Sequence, residues 1–507
     1  MNNLNLHEPQ RQSLVGVAVI FFKNLRIAAN IFLSVILVQF GTDVSFFGLG
    51  LKEVGFIIAG LFLIISYLQY RRFYFYVVDD KFIMEKGLLS RDRITIPFDR
   101  IQTVNLNQNI IQQVLGVMAV KVDTAGSSEK ELEISALPKI YARQLQEFLI
   151  EKKKETSGET VEENFGDTLE DTSESTATSG TKSNSALVKL SIRDLLLIGL
   201  TENHLKTGLL VFAVINGYIW QYEEYLLKPF EPFLEEQANT IMASWLILLP
   251  LAVLFFLAVS VLISMIQTAL KYFNLEFFVD HKGVQMVSGL LKRAEYQIPI
   301  NKIQYLKWKS NPLRKLIGLR TLAVKQASPE DVSGSSGVVR VPGCRDEQLR
   351  VVMDTFYPQA LEGSYTTYRP ATLLRLQHTI YFAIIPSLMI TALGWFGWIF
   401  SLGAVVYLPI ALIFIKRYFY SVSMMVSAEM LILKKGWVFP TRVAMPLYKL
   451  QNVQLTQSVF QKKRNLASLT LHTAAGTEAF KHIPYQEALE LFDYLLYKIE
   501  VEDRGWM

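Results

Sequence analysis

The sequence predicts a multi-pass α-helical membrane protein with three cytoplasmic α+β domains, each a small β-sandwich or barrel capped by a C-terminal helix. Three observations predict it. Apolar runs occur in three pairs, Lys and Arg flank those pairs on one side, and a Gly–Pro–Gln spacing recurs in phase behind each pair. Of the 507 residues, 51% are hydrophobic and 19% charged. A soluble chain carries about 25% charge, so the composition leans to the membrane class while leaving room for several soluble domains. The net charge of +5 is spread along the chain and forms no block suited to nucleic acid. A single cysteine, Cys344, excludes an intramolecular disulfide framework and fits a reducing cytoplasm. The polar first twelve residues lead into no cleavage-type core, so a cleaved signal peptide is not expected.

The paired runs cover 27–42 and 54–68, 205–222 and 241–267, and 377–393 and 399–415. Several are near the lower length limit for a span, about 17 residues. Arg71 and Arg72, Lys271, and Lys416 with Arg417 close the three pairs, and Lys23, Arg26, Lys189, Arg193, Arg369 and Arg375 precede them. The connection within the second pair is mostly acidic and that within the third, GWFGW, is uncharged. A Lys/Arg excess marks the cytoplasmic side, so six spans with both termini inside are expected. The alternative is hairpins that enter and return, bent at Pro250, Pro386 and Pro409.

Behind each pair the sequence repeats. Gly87, Gly289 and Gly436 each stand ten residues before a proline, Pro97, Pro299 or Pro446. Five residues after each proline comes Gln102, Gln304 or Gln451, and nineteen after it comes Gly116, Gly318 or Asn465. Asparagine is the usual substitute for glycine where φ is positive, so the third copy keeps the same requirement. Aromatic and β-branched openings (FYFYVV, YFNLEFFV, YFYSVSMMV) and alternation around each proline predict half-buried strands. The glycine suits a tight hairpin turn, and the proline, lacking an N–H, belongs at an edge or bulge. Each copy closes on an amphipathic helix, clearest in YQEALELFDYLLYKIE, giving about seven strands and a helix per domain.

The hairpin, the aromatic strand, the G-x9-P-x3-[IL]-Q spacing and the closing helix together resemble the bacterial pleckstrin-homology-like (PH-like) membrane family. Three copies with paired spans resemble its YdbT-like branch. His7 and Pro9 resemble the family's His-Pro opening, with Glu8 intervening. The resemblance implies PH-like domains, a multi-pass place in the cell membrane, and a partner that is a smaller PH-like relative or another copy. A role in cell-envelope stress or antimicrobial resistance is implied at the same level. The expected organisation is an interfacial segment and hairpin at 13–69, domain one at 70–150, and an acidic, Ser/Thr-rich disordered linker at 151–186. An interfacial helix, begun by a Ser191–Asp194 capping box, and hairpin follow at 187–269, with domain two at 270–357. The third hairpin, with its interfacial segment, is at 369–415 and domain three at 416–500.

The chemistry is sparse. Six scattered histidines have no metal-ligand spacing, and no nucleophile elbow, P-loop or zincin motif is present, so neither a cofactor nor an enzyme is expected. AGSSEK (125–130) and AAGTEA (474–479) fall at one hairpin tip in two copies and are expected to be structural turns. Arg71, Arg72, Arg91, Arg93, Lys271, Lys292, Arg293, Lys416 and Arg417 are candidate lipid-headgroup contacts, each basic group worth about 1 kcal/mol toward anionic lipid. The bland reading is that these charges only set topology. Three functions follow in order: a non-enzymatic membrane-anchored interaction scaffold, an anionic-lipid sensor, and a subunit of a transporter or export complex. The expected partners are membrane lipids and other membrane proteins, not nucleic acid.

Overall fold

The computed structural model describes residues 6, 8–24, 51–88, 90–124, 132–157, 186–202, 204–221, 231–327, 338–358, 363–392 and 398–501. The run 27–42 and the loop 125–130 lie outside them. Among the described residues, three helical stretches are long and apolar enough to cross a membrane: Val253–Tyr272, Thr372–Ala392 and Leu402–Ser421. Their surfaces expose large side chains such as Leu254, Phe255, Leu262, Leu388, Val405 and Ile413, as lipid-facing helices do.

Pro250 and Pro409 lie inside continuous helices, Glu231–Tyr272 and Trp398–Ser421, and turn neither of them back. Pro386 has a local consequence. It follows a π-turn at Ile380–Ile384, a widened turn of the kind that accommodates an interruption. Its missing N–H frees the carbonyl of Phe382, four residues earlier, and the Tyr407 hydroxyl donates to that oxygen at 2.7 Å.

Three β-units follow the helices. The first has β1 (Tyr74–Val78), β2 (Lys81–Lys86), β3 (Asp92–Pro97), β4 (Ile101–Asn109), β5 (Val117–Thr124) and β6 (Leu132–Pro138), then the helix Lys139–Ser157. That helix runs seven residues into the segment expected as linker. The added turns are EKKKETS, charged helix formers carrying a Lys152–Glu155 pair at 2.5 Å. Residues 158–185 lie outside the described set. The second unit has β7 (Val188–Lys189), β8 (Glu276–Asp280), β9 (Gly283–Ser288), β10 (Lys292–Pro299), β11 (Ile303–Lys309), β12 (Arg320–Gln326) and β13 (Val338–Cys344), closed by Asp346–Phe356. The third has β14 (Thr366–Tyr368), β15 (Ser423–Val426), β16 (Met430–Lys435), β17 (Thr441–Pro446), β18 (Leu450–Thr456), β19 (Leu466–Thr473) and β20 (Gly476–Pro484), closed by Tyr485–Val501.

Each unit is thus two three-stranded antiparallel meanders and a helix. A short segment from ahead of the hairpin adds to the first meander: β7 on β8, β14 on β15, and a Gln10–Phe75 bridge on β1. The Ser191–Asp194 capping box starts the helix Ile192–Leu200, where Gly199 lies against Met265 of the long helix.

No barrel closes. Strand order runs β1-β2-β3, then β6-β5-β4-β10-β9-β8-β7, then β13-β12-β11-β17-β16-β15-β14, then β18-β19-β20. Of the expected sandwich or barrel, the closed barrel is therefore corrected to open sheets, two meanders per unit sharing one core. In the first two units the second meander's first strand, β4 or β11, gives its edge to the next unit instead.

The cores are apolar faces selected by strand alternation. In the first, Phe75, Phe82, Met84, Leu106, Val120 and Ile134 meet Leu145 and Leu149 of the closing helix. Each such side chain, fully buried, contributes about 1.5–3 kcal/mol. The second core draws in Met430 and Ala444 from the third unit, and the third takes Tyr305 from the second.

Candidate functional site

The nine residues of the repeat occupy three equivalent turns. Gly87, Gly289 and Gly436 follow β2, β9 and β16 with φ of +125°, +108° and +88°. A Cβ at these positions would run into the carbonyl oxygens of Ser90, Lys292 and Phe439 respectively, so the turn admits only glycine. Pro97, Pro299 and Pro446 end β3, β10 and β17 at φ of −62°, −61° and −66°. Each caps a single 3-10 turn that carries the chain from the first meander to the second. The glutamines then fall where the β4–β5, β11–β12 and β18–β19 registers shift, so each is the extra residue of a bulge. The bulge is the physical content of the recurring glutamine, which spacing alone did not disclose.

All nine candidate basic residues are exposed. The structure brings them together unit by unit, because each glycine turn docks on the end of its apolar helix. The Arg72 guanidinium donates to the Leu88 carbonyl. Gly289 N–H donates to Phe273 O and Leu290 N–H to Leu270 O, both at 2.9 Å. Phe414 meets Trp437 edge-on at 5.3 Å, and Arg417 lies 6.0 Å from the same ring. Lys271 lies over the Tyr272 ring at 5.0 Å. Arg71, Arg72, Arg91 and Arg93 therefore share one region, Lys271, Lys292 and Arg293 a second, and Lys416 and Arg417 a third. Arg93 is partly neutralised by Glu85 at 3.9 Å. Beside these charges, the turn tips expose Leu290, Leu291, Trp437 and Phe439. These apolar tips at the end of a span were missed in the sequence, where only the glycine was read as a turn residue. Aromatic and aliphatic side chains next to Lys and Arg suit the interfacial zone of a bilayer.

The second constellation is the pair of joints between units. At the first, β10 runs antiparallel to β4, and Gln113 Nε2 donates to Leu290 O at 2.9 Å. At the second, β17 pairs with β11 and Ser310 N–H donates to Pro440 O at 3.0 Å. Glu478 of the third unit, largely buried, lies 2.6 Å from Lys307 of the second and 3.3 Å from Lys435. Lys449 Nζ donates to Asn301 O at 2.6 Å across the same joint, and burial pulls the Lys449 pKa down to about 8. A buried charge held in this way is costly to strip of its partner, so the second joint is specified by charge as well as by apolar contact.

The Bacterial PH domain family model matches residues 29–153, 239–358 and 380–499. The chain belongs to the bacterial PH domain family. It is also similar to the UPF0699 transmembrane protein YdbT of Bacillus subtilis (strain 168), 24% identical over 411 residues that make up 80% of each chain. The three PH-domain units share a further buried polar position, fifteen residues after each proline. Gln112 donates to Ser135 O at 2.6 Å, Arg314 pairs with Glu202 at 2.7 Å, and Gln461 donates to Ser468 Oγ at 2.6 Å. The second copy has Arg where the first and third have Gln, which hid this position from the sequence. In the third PH domain, 474–479 spans a tight hairpin, Thr473 facing Gly476, and Thr473 Oγ1 donates to Gly476 O. Among the described residues no group of three His, Cys, Asp or Glu side chains is arranged to hold a metal ion.

Proposed function

We propose that this multi-pass PH-domain protein is a non-enzymatic scaffold, which holds partners at the cytoplasmic face of the cell membrane through PH-like units at 70–150, 270–357 and 416–500. The single observation carrying this reading is the joining of the three units by shared sheets, with side chains exchanged between the second and third cores. A row fixed in this way presents a defined surface at a defined distance from the bilayer, as a scaffold requires. A role in cell-envelope stress or antimicrobial resistance is the physiological setting that the family resemblance supports. The Lys/Arg placement supports six spans with both termini inside.

The sensor reading is favoured by a different observation, the gathering of exposed Arg71, Arg72, Arg91 and Arg93 at one turn. The two readings separate on purification of the full chain from its native membrane in mild detergent, with mass spectrometry of co-purifying proteins and lipids. The scaffold reading expects a protein partner in constant ratio, retained by the Arg91→Ala/Arg93→Ala variant. Anionic lipid lost in that variant, with no protein partner in either, would replace it with the sensor. A partner with a substrate pathway would make the chain a transporter or export subunit.

A further inference from the structure

The two internal joints have one register when counted from the repeated prolines. Glu295, four residues before Pro299, faces Leu106, nine after Pro97. Arg442, four before Pro446, faces Trp308, nine after Pro299. One joint used twice in a row leaves two complementary edges over. The first is β3, the counterpart of β10 and β17; the second is β18, the counterpart of β4 and β11. Among the described residues β3 pairs only with β2, and β18 only with β19.

Exposure marks what these edges lack. Gln304 and Tyr305 on β11 are 0% and 2% exposed, whereas their counterparts on β18, Gln451 and Asn452, are open to solvent. Ala444 on β17 is 0% exposed, whereas its counterpart Thr95 on β3 is open. Proteins usually blunt such edges with lysine, proline or inward charge. β18 reads LQNVQLT and has none of them.

We infer that β3 of one molecule adds to β18 of a second copy of this chain, head to tail, in the register of the two internal joints. Arg93 then faces Leu455, Asp92 faces Thr456 and Thr95 faces Val453. The first of these pairs sets a charged residue against an apolar one, as Glu295–Leu106 and Arg442–Trp308 do. No like charges meet, because β18 is uncharged. The occupant is a second copy because each free edge already has its template partner in this polypeptide. Each unit stands behind its own apolar hairpin, so a row extended by the same joint keeps every hairpin in one membrane. Four paired residues form a small interface, and confinement of both partners to one bilayer raises their effective concentration. The contact is heterologous, closing into a ring or continuing as a row according to the rotation per joint. This inference rests on the scaffold reading.

Arg93→Cys and Leu455→Cys, introduced separately into the full-length chain under two tags and co-expressed in membranes, test it. Native Cys344 is buried, which pushes its thiol up to about 12 and leaves it silent to mild oxidation. A disulfide-linked dimer carrying both tags is expected from the mixture and from neither variant alone. Asp92→Cys with Thr456→Cys, both exposed positions, should cross-link likewise and guards against a folding defect from Leu455→Cys. Moving one cysteine out of register, Arg93→Cys with Asn452→Cys, should lower the yield about tenfold, since three residues along a strand is roughly 10 Å. A doubly substituted chain that cross-links only within itself, equal yields in and out of register, or no dimer with either pair would each overturn the inference. A foreign partner retained in mild detergent without any cross-link would remove the self-assembly and leave the scaffold.

Discussion

At the scale of single residues, backbone conformation explains which letters recur. Glycine stands at φ of +125°, +108° and +88°, and Asn465 takes φ of +51° where Gly116 and Gly318 take +69°. Those requirements were legible because they restrict residue type almost absolutely. Gly289→Ala should therefore cost more than about 1 kcal/mol, since its Cβ meets the Lys292 carbonyl in a left-handed turn. Thermal unfolding of the full chain would show it, and an unchanged midpoint would argue that the turn is not strained. His482 is the titrating residue to watch. It is buried at φ of +62°, with Nε2 2.9 Å from Gln377 and Nδ1 3.1 Å from Gln461. Burial, followed by nearby Lys481, lowers its pKa below the ordinary 6.5. The neutral ring is thus the native form. Its contribution is complete above pH 6.5 and is lost as pH falls through the lowered folded value. Hydrogen exchange in β19 and β20 should quicken from pH 7 toward pH 5 beyond the intrinsic pH effect. His482→Asn, which tolerates the same φ, should flatten that dependence, and identical profiles for the two proteins would exclude the histidine as its source.

At the scale of elements, legibility followed length and periodicity. The apolar helices, the proline-bearing strands and the closing helices repeat a pattern over many residues, so hydrophobic spacing located them. In the last helix Ala488, Leu491 and Leu495 are the buried stripe, with Phe492 and Ile499 beside it. By contrast, β7 and β14 are two and three residues long and carry no period. The joints were illegible for another reason. Which strand edge meets which is decided by unit-to-unit geometry, and alternation along β10 reads the same with or without β4 beside it. The prolines carried only the alternative reading. They suggested bends in the hairpins, yet a helix keeps its course through proline wherever the freed carbonyl finds a donor. Phe382 finds Tyr407. Tyr407→Phe should accordingly cost about 1–3 kcal/mol, the penalty for an unmet polar group away from water. Detergent-resistance or thermal-aggregation curves of the membrane-bound chain would register that loss. A neutral result would mean that water or lipid already serves the carbonyl.

For the whole molecule, orientation is the first property to test. Thr160→Cys and Phe230→Cys, against the silent Cys344, should differ in intact cells: position 230 reacts with an impermeant reagent and 160 does not. Labelling at 160 would reverse the assignment of sides. The exchange of side chains between cores also bears on how the chain is made. The first core closes with residues no later than its own helix at Lys139–Ser157, so it is complete once that helix has left the ribosome. The second is not, because it needs Met430 and Ala444. These are translated after Phe356 and after the third apolar pair has been delivered to the membrane. At about 5–20 residues per second that delay is on the order of ten seconds. During it the middle unit has its strands but lacks part of its lid, so its maturation is gated by insertion of the hairpin downstream. A lesion that stalls that insertion would consequently appear first as proteolysis of residues 270–357, a segment the lesion does not touch.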